Sequence, residues 1–424
     1  MSENIRRDAV TCALAGIAAV DPGDLVRRSL AERPVEGNIT IVAVGKASGA
    51  MASAALAVLG PAVRAGVVIS REPVQLSGPI TCFVGGHPVP NERGAAGARE
   101  IEEIAAALTA DDTLLCLVSG GASALMALPA DGISIDDMAS VTTSLLRAGA
   151  RIDELNCVRK HVDRLKGGRL AARAFPARVV TLVLSDVIGD DLSTIASGPT
   201  VADPTTVAQA ISILKTRQVW DQIPESVRAH LIQGGDESPK PGDPRLARSD
   251  THVVGSNVNA AEAARAQAAS LGYAARVVTT SLSGEASKVG ADIVRDIKAE
   301  LEREKKNVAL IFAGETTVTV RGTGTGGRNQ ELVLGAAIAM DGASGMTVAS
   351  LGTDGIDGPT DVAGAVADGE SISRARALHL DPSAALAAND THAFWKALGA
   401  LVRTGPTGTN VMDIVVALAV VPKV

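Results

Sequence analysis

Aromatic residues are nearly absent from this chain. Two Trp, one Tyr and four Phe make up 2% of its 424 residues, whereas hydrophobic residues make up 46%. The cores must therefore be built from Ala, Val, Leu and Ile, and almost no side chains are available for stacking on nucleic-acid bases. The length predicts two or three domains, each able to bury a core of its own.

The chain also lacks a block of basic residues. Lys and Arg number 40 against 47 Asp and Glu, which gives a net charge of −7 at pH 7. Binding to a nucleic-acid backbone needs clustered cations, so we expect no nucleic-acid partner. Small anions bound at local sites are compatible with this composition.

Cysteine pairs are missing as well. The four cysteines are Cys12, Cys82, Cys116 and Cys157. They lie far apart and form no Cys-x-x-Cys motif, which argues against a zinc knuckle and against a disulfide framework. Reduced thiols and a cytoplasmic location are the simplest expectation.

No apolar run approaches the roughly 20 residues that a membrane span requires. The apolar stretch 9–20 follows Arg6 and Arg7 in the manner of a secretory signal, but Glu3 and Asp8 interrupt the charged start. We therefore expect an amphipathic or buried helix that ends before Asp21, and no membrane partner.

Strand-length apolar runs alternate with Ala-rich helical runs along the chain. Examples are 39–44 followed by 48–59, and 114–118 followed by 122–127. Continuous Val, Ile and Leu strands are buried on both faces, as in a parallel sheet covered by helices, so the predicted class is α/β. Ligands of such sheets bind beyond the carboxyl ends of the strands, where nearly every Gly- or Asp-rich turn of this chain falls.

One Pro- and Gly-rich segment, 234–244, has the composition of a linker. It predicts two domains, 1–238 and 239–424. In the second domain, the runs 308–313 and 316–320 are joined by Gly314 and Glu315, and we expect them to form a tight β-hairpin.

The strand 114–118 runs into a Ser-Gly-Gly-Ala-Ser turn that contains Ser119, Gly120, Gly121 and Ser123. Glycines and the free N–H groups of a helix start favour a bound phosphate or carboxylate. An ordinary turn with a Ser cap explains this segment alone equally well.

Strand 39–44 similarly delivers Lys46 to the mouth of the sheet. The glycine spacing around this lysine excludes a Walker A loop, and an isolated lysine is more often a solvated side chain.

The segment 151–170 concentrates cations on a predicted helix. Asn156, Arg159, Lys160 and Asp163 recur at spacings of three and four, which would place an amide, two cations and a carboxylate on one stripe. A solvated helix face explains the same pattern, and the sequence leaves the two interpretations open.

Carboxylates follow two further strands. Asp186 and Asp191 come after 179–184, and Asp354 comes after 346–351. Magnesium prefers oxygen ligands and needs one or two carboxylates beside substrate phosphates. Turn formation is the alternative, and it suits Asp191 better than Asp186.

The densest glycine loop, 321–327, contains Gly322-x-Gly324-x-x-Gly327 and leads to Arg328 at a helix start. This spacing is the dinucleotide fingerprint, but the loop follows a predicted hairpin and lacks the acidic residue expected about 20 positions later. Arg328 could instead stabilise charge on a phosphoryl group during transfer.

Taken together, the motifs resemble one family over nearly the whole chain. They are Gly45-Lys46-Ala47, Gly85-Gly-His-Pro-Val-Pro90, Ser119-Gly-Gly-Ala-Ser123, Arg159-Lys-His161, Lys166-Gly-Gly168, Ser185-Asp186, Gly189-Asp-Asp191, Ala196-Ser-Gly-Pro199, Gly255-Ser-Asn257 and Gly327-Arg-Asn-Gln-Glu331. Their number and order resemble the class II glycerate 2-kinases, the MOFRL family. The resemblance implies a Rossmann-like N-terminal domain, a smaller α/β C-terminal domain, and an active site in the cleft between them. It also implies ATP, Mg²⁺ and D-glycerate, with 2-phospho-D-glycerate as product.

Carried over to this sequence, the resemblance makes Lys46 and Arg328 the catalytic cations. It suggests that the Ser119–Ser123 loop and Gly255, Ser256 and Asn257 hold nucleotide phosphates, with Lys160 and Asn156 as partners for these or for the glycerate carboxylate. Asp186 is the preferred magnesium ligand or base. Asp191, Glu315 and Asp354 are second-choice candidates for the same role, and Glu315 is also a candidate for nucleotide binding.

Two other functions stay open at this stage. The glycine fingerprint, and the name that relatives often bear, suggest an NAD(P)H-dependent hydroxypyruvate reductase. A sugar-acid or nucleotide binding module without turnover is the non-enzymatic alternative. The sequence also leaves the subunit number open, with a homodimer as one option.

Overall fold

The computed structural model describes residues 2–234 and 237–422. The chain divides into two compact units. The first unit is Pro22–Val254, and the second unit is Met1–Asp21 with Gly255–Val424.

Helices and strands alternate as the sequence predicts. The helices are α1 (Ser2–Ala18), α2 (Pro22–Glu32), α3 (Ser48–Leu59), α4 (Glu92–Ala106), α5 (Ala122–Leu125), α6 (Ile135–Arg147), α7 (Ile152–His161), α8 (Arg169–Ala174), α9 (Val207–Thr216), α10 (Glu225–Ile232), α11 (Asn257–Ser270), α12 (Ala286–Glu304), α13 (Arg328–Met340), α14 (Ser371–Ala377), α15 (Pro382–Ala387) and α16 (Thr391–Ala397). The strands are β1 (Asn38–Val44), β2 (Val63–Ser70), β3 (Ile80–Val84), β4 (Asp112–Val118), β5 (Arg178–Leu184), β6 (Ser249–Gly255), β7 (Ala274–Leu282), β8 (Val308–Gly314), β9 (Met346–Gly352), β10 (Gly364–Asp368), β11 (Leu401–Val402) and β12 (Asp413–Ala419).

The sheet of the first unit has the strand order β3-β2-β1-β4-β5-β6. The pairs β3–β2, β2–β1, β1–β4 and β4–β5 are parallel. This order is that of a Rossmann-like sheet, and the order reverses between β1 and β4. Val44 lies opposite both Ile69 and Val118, so β1, β2 and β4 end level with one another and their following loops share one edge.

The strands of this sheet are buried because their apolar runs are continuous. All residues of β1 and β4 after the first are buried or nearly so, and Val44, Cys116 and Val118 pack with Ile101 of α4 and Leu170 of α8. The predicted aliphatic core is confirmed. A second cluster joins the helices α6, α7, α9 and α10 through Leu145, Val158, Leu214 and Val227.

The second unit contains a mixed sheet with the order β11-β10-β9-β12-β8-β7. Only β7–β8 is parallel among the pairings described for it. Helices α12 and α13 pack closely because each has a glycine at their contact. A Cβ at Gly290 would collide with the main chain at Leu332, and one at Gly335 would collide with the main chain at Ser287.

The compact units differ from the predicted domains 1–238 and 239–424. Residues 239–254 belong with the first unit because β6 extends its sheet and because the amide of Asp203 donates to the carbonyl of Pro239. The N-terminal helix belongs with the second unit, where the Tyr273 hydroxyl donates to Asp8 at 3.0 Å. Composition predicted a linker at 234–244, but it did not reveal that Pro239 in this segment is hydrogen-bonded to the first unit.

The predicted β-hairpin over 308–320 is wrong. Residues 316–320 form no strand, and Thr317 instead makes an isolated parallel bridge with Glu285. Gly314, at a φ of 146°, turns the chain toward β7, where the amide of Glu315 donates to the carbonyl of Leu282. The antiparallel partner of β8 is β12, from the far end of the chain.

The N-terminal stretch is helical, as predicted, and α1 ends at Ala18. Among the described residues, no single helix is long and apolar enough to cross a membrane, and α1 and α2 meet the length and composition only when they are taken together.

Candidate functional site

Two loops meet where the strand order of the first unit reverses. The amide of Lys46, after β1, donates to the carbonyl of Gly120, after β4, at 2.9 Å. The amide of Ala47 donates to the Ser119 hydroxyl at 3.0 Å. Gly45 adopts a φ of 128°, and a Cβ there would collide with Ser119. The two turns that the sequence singled out separately therefore form one structural unit.

The Lys46 side chain lies over this unit. Its Cγ would be 3.6 Å from a Cβ placed on Gly121, and the residue is half-buried. Its ammonium group makes no hydrogen bond or ion pair with any residue in 2–234 or 237–422. A lysine held at a strand end without a counter-ion is poised to meet an anionic ligand.

His87 lies on the other side of Gly121. Its Cδ2 would be 3.1 Å from a Cβ on that glycine. Burial lowers the pKa of His87, and the positive charges of Lys46, Arg71 and Arg159 lower it further. Lys46, Arg71 and Arg159 therefore all lie close enough to affect His87, and burial together with their charges favours the neutral form of its imidazole.

Asp186 follows β5 and reaches the same turn. A Cβ on Gly120 would collide with its carboxylate, so the close approach requires glycine at this position. The structure thus brings Lys46, the Gly120–Gly121 turn and Asp186 together at one edge of the sheet.

Asp191 is engaged within its own loop. Its carboxylate accepts hydrogen bonds from the Ser193 amide at 3.0 Å, the Ser193 hydroxyl at 3.1 Å and the Thr194 hydroxyl at 2.8 Å. This arrangement matches the turn-forming alternative. Its role as a metal ligand stays a prediction.

A chain of polar side chains joins the Ser119–Ser123 turn to α7. The hydroxyls of Ser123 and Ser197 are 2.9 Å apart, and Ser197 donates to Asn156 at 3.1 Å. Asn156 in turn donates to the Thr194 carbonyl at 3.2 Å. Ser197 has a φ of 60°, which is costly for a non-glycine residue and is typical of functional loops.

Lys160 does not share the situation of Lys46. It is 3% exposed, and its ammonium donates to the carboxylate of Asp203 at 3.2 Å. Asp203 is fully buried and also accepts from Thr205 and Ser238. Lys160 is therefore part of a buried ion pair, and ligand binding by it stays a prediction.

Arg328 is the first residue of α13 in the second unit. Its Nε donates to Oδ2 of Asp413 at 2.5 Å and its Nη2 donates to Oδ1 at 3.0 Å, while Nη1 donates to Glu315. Asp413 is 4% exposed, and burial raises its pKa to about 6 although Arg328 opposes the change. Sequence reasoning missed Asp413, because an Asp at a strand start carries no spacing signal.

The N-terminus of α13 already holds a carboxylate. Asp357 accepts from the amides of Asn329 at 3.0 Å and Gln330 at 2.9 Å, and also from both of their side chains. A Cβ on Gly327 would collide with Asp357. In a dinucleotide-binding loop these helix amides would face the pyrophosphate.

The other glycines of the same loop are explained by packing. A Cβ on Gly322 would collide with Ala388, and a Cβ on Gly324 would lie 2.5 Å from the Asp390 Cβ. Asn389 accepts from the amides of Arg321 at 2.7 Å and Gly322 at 2.9 Å. The fingerprint spacing therefore arises from contacts within the protein.

A cavity of about 760 Å³ lies beside Arg328. Its lining includes Glu315, Val318, Glu331 and Pro359. Glu331 is 3% exposed, its pKa is raised by burial, and it accepts from Asn389 at 2.7 Å. A volume of this size suits a metabolite or part of a nucleotide.

The remaining predicted site residues lie in the second unit and are partly engaged. Ser256 precedes α11, its amide donates to Asn259 at 2.9 Å, and Asn257 donates to the Thr280 carbonyl at 2.7 Å. Asp354 is half-buried and accepts from the amide of Ile356 at 3.1 Å. Within the described parts of the chain, no group of three or more His, Cys, Asp or Glu side chains is arranged to hold a metal ion.

Comparison with known families matches both units. Residues 8–232 match a family model described as a domain of unknown function (DUF4147), and residues 308–413 match the MOFRL family. Together the matches cover most of the chain.

The similar proteins match most or all of the chain. The D-glycerate 2-kinase of Thermotoga maritima is 42% identical over 424 residues, covering 99% of each chain. A putative hydroxypyruvate reductase of Agrobacterium vitis is 41% identical over 407 residues, covering 94% of this chain and 91% of its own. A crystal structure of glycerate kinase from Thermotoga maritima superposes with a TM-score of 0.92 at 41% identity, covering 99% of this chain and 100% of that one. On the strength of these matches, the chain belongs to the MOFRL family of class II glycerate 2-kinases.

Proposed function

We propose that this chain transfers the γ-phosphoryl group of ATP to the 2-hydroxyl of D-glycerate, giving 2-phospho-D-glycerate and ADP. The observation that carries the proposal is Lys46, a half-buried cation that has no counter-ion among the described residues and is held against the Gly120–Gly121 turn, which Asp186 also reaches. The similarity to proteins named glycerate kinase supplies the substrate class.

The proposed roles follow from what each group can do. Lys46 and Arg328 neutralise charge on the transferred phosphoryl group, because phosphoryl transfer depends mainly on positioning and electrostatic stabilisation. The Gly120–Gly121 turn and Ser123 hold nucleotide phosphates through main-chain amides and a hydroxyl. Ser256 and Asn257 keep their proposed role beside the phosphates, and Glu315 keeps its role near the nucleotide.

Magnesium fits the first unit through Asp186. The ion needs only one or two protein carboxylates when substrate phosphates supply the other ligands, so the lack of a three-carboxylate cluster among the described residues is compatible with it. Bound Mg²⁺ would neutralise phosphate charge. Asp186 would hold the ion or accept the proton of the attacking hydroxyl. Asp191 and Asp354 are the alternative candidates for metal ligands.

The reductase alternative has less support from the geometry. Asp357 occupies the α13 amides that a dinucleotide pyrophosphate would need. We therefore expect no NADH oxidation when hydroxypyruvate is added without ATP.

The decisive assay couples the reaction to enolase. Enolase accepts a 2-phosphoglycerate directly, so a signal from ATP and D-glycerate without a mutase identifies the hydroxyl that was phosphorylated. Lys46→Ala should lower kcat/KM by about 10²-fold or more, whereas Lys306→Ala, at an exposed lysine, should leave it unchanged. A folded Lys46→Ala variant with full activity would remove the mechanism.

The cytoplasm remains the proposed location. All four cysteines are free thiols, as expected in a reducing compartment.

A further inference from the structure

Arg159 is a second half-buried cation of the first unit that has no partner among the described residues. It lies on α7 and is half-buried. Its guanidinium makes no hydrogen bond or ion pair with any residue of the described ranges 2–234 and 237–422. A guanidinium removed from water without a partner is costly, so burial lowers the pKa of Arg159 to about 10.

The neighbouring cations are paired, which makes Arg159 an exception. Lys160 is bound to Asp203 at 3.2 Å, and Lys166 is bound to Asp163 at 2.5 Å. Arg164 is bound to Glu102 at 2.7 Å and to Asp131 at 2.6 Å. The fold therefore supplies counter-ions to these three cations, whereas no described residue serves as one for Arg159.

Asp163 does not fill this gap. It is the one carboxylate whose charge acts appreciably on Arg159 among the described residues. Its Oδ2 accepts from the Lys166 ammonium and the Leu128 amide, and its Oδ1 accepts from the amides of Leu165 and Lys166. Both oxygens are therefore already committed.

The position of Arg159 connects it to the site. Asn156 precedes it by three residues, so the two share a face of α7, and Asn156 is joined through Ser197 to Ser123 of the glycine turn. Arg159 and Lys46 also act together on His87, which adjoins Gly121. Two half-buried cations that have no partner within 2–234 and 237–422 thus lie near the same edge of the sheet.

We propose that Arg159 is a binding residue for an oxyanion of the substrates, which it holds together with Lys46. This inference rests on the proposed function for the identity of the substrates. The oxyanion is either the carboxylate of the hydroxy acid or a phosphate of the nucleotide, since a guanidinium forks onto both. The ligand then supplies the counter-ion that the described residues do not provide.

The test compares Arg159→Ala and Arg159→Lys with Arg147→Ala as the control. Arg147 is an exposed arginine in the last turn of α6. We expect Arg159→Ala to raise one KM by roughly 10- to 100-fold, as loss of a charge-assisted hydrogen bond does. The same KM of Arg159→Lys should lie between those of Arg159→Ala and wild type, and the KM values of Arg147→Ala should equal those of wild type.

The KM values of the two substrates distinguish a carboxylate of the hydroxy acid from a phosphate of the nucleotide. A rise confined to the KM of D-glycerate assigns Arg159 to the carboxylate, and a rise confined to the KM of ATP assigns it to a phosphate. If folded Arg159→Ala leaves both KM values at wild type, the inference is overturned.

The unfolding temperature of the Arg159 variants distinguishes a role in ligand binding from a structural role. Since Arg159 bonds to no other described residue, Arg159→Ala should keep or raise the unfolding temperature. A large fall in that temperature, with both KM values retained in Arg159→Lys, would also overturn the inference.

Calorimetric binding of D-glycerate and of ADP, each alone, does not depend on turnover. If wild type binds but does not phosphorylate, and Arg159→Ala weakens that binding, the proposed function fails while the inference stands. If wild type phosphorylates D-glycerate but Arg159→Ala binds both ligands as tightly as wild type does, the inference fails alone.

Discussion

Arg328 and Asp413 form a two-pronged ion pair within the second unit. The Nε and Nη2 groups of the arginine meet the two oxygens of the carboxylate at 2.5 Å and 3.0 Å. Asp413 starts β12, whose register with β8 and β9 fixes the carboxylate on the sheet. Because this ion pair already fixes the guanidinium, the Arg328 side chain loses little conformational entropy when a ligand binds. Such preorganisation suits a group that stabilises charge during phosphoryl transfer.

We therefore expect Asp413→Asn to lower kcat by about 10-fold or more while the KM of ATP changes less, because Asn can accept from only one prong of the arginine. The measurement is steady-state kinetics of single and double variants with Arg328→Ala. If Asp413 acts through Arg328, Asp413→Asn should cost little further activity once Arg328 is gone.

Asp368→Asn is the matched control for this experiment. Asp368 is also buried and accepts from Arg374 at 2.7 Å in the same unit. Loss of activity in both variants to the same degree would show that general destabilisation explains the result, and would contradict a positioning role for Asp413.

Asp413 also predicts a pH dependence of stability. Its pKa in the folded chain is about 6, above the ordinary value of 3.8, because the carboxyl is buried. The folded state then binds more protons than the unfolded state between these values, so this group's contribution to stability falls as pH rises through that window. The slope is at most about 1.4 kcal/mol per pH unit.

Unfolding by denaturant between pH 4 and about pH 7 measures this effect. The difference in unfolding free energy between wild type and Asp413→Asn should shrink as pH rises toward 6 and then level off, because Asn does not titrate. A difference that grows with pH over this range would mean that Arg328 keeps the pKa of Asp413 below its ordinary value.

The sequence predicted the fold of the first unit well because the signal is local. The run 114–118 is apolar throughout and the run 39–44 is apolar except for Thr40, which predicts buried strands, and the turns at Lys46 and Gly120 follow them directly. The second unit was harder to predict. The antiparallel partner of β8 is β12, about a hundred residues later, and no local sequence pattern predicts such a pairing.

Side-chain partners were the other limit on prediction from sequence. Spacing placed Arg159 and Lys160 on a single helix as equivalent cations, yet the fold buries Lys160 against Asp203 and leaves Arg159 without a partner among the described residues. The glycine fingerprint likewise suggested a dinucleotide. Only the position of Asp357 revealed that a protein carboxylate takes the helix amides.

The ion pair between Lys160 and Asp203 allows a ligand role to be separated from a structural one. Replacing Lys160 by Met should lower the unfolding free energy by about 3–5 kcal/mol, since it leaves Asp203 buried and uncompensated. The companion variant with Asp203→Asn as well should recover part of that loss. Denaturant unfolding gives these values, and a KM for ATP or D-glycerate that rises in Lys160→Met without loss of stability would restore Lys160 as a ligand.

The contact between Gly120 and Asp186 makes a prediction in which stability and activity separate. A Cβ on Gly120 would collide with the Asp186 carboxylate, so Gly120→Ala must displace that side chain or the turn that also receives the Lys46 amide. We expect a lower unfolding temperature and a loss of activity in this variant.

Shortening the opposing side chain should relieve the collision. In the double variant Gly120→Ala with Asp186→Ser, we expect an unfolding temperature above that of Gly120→Ala. The shorter Ser side chain leaves free the space that the new methyl group needs. Activity should stay low if Asp186 binds magnesium or accepts the proton, because Ser cannot replace a carboxylate in either role. Recovery of phosphoryl transfer together with stability would mean that Asp186 only fills space at this turn, and the base or metal ligand would then have to be sought elsewhere.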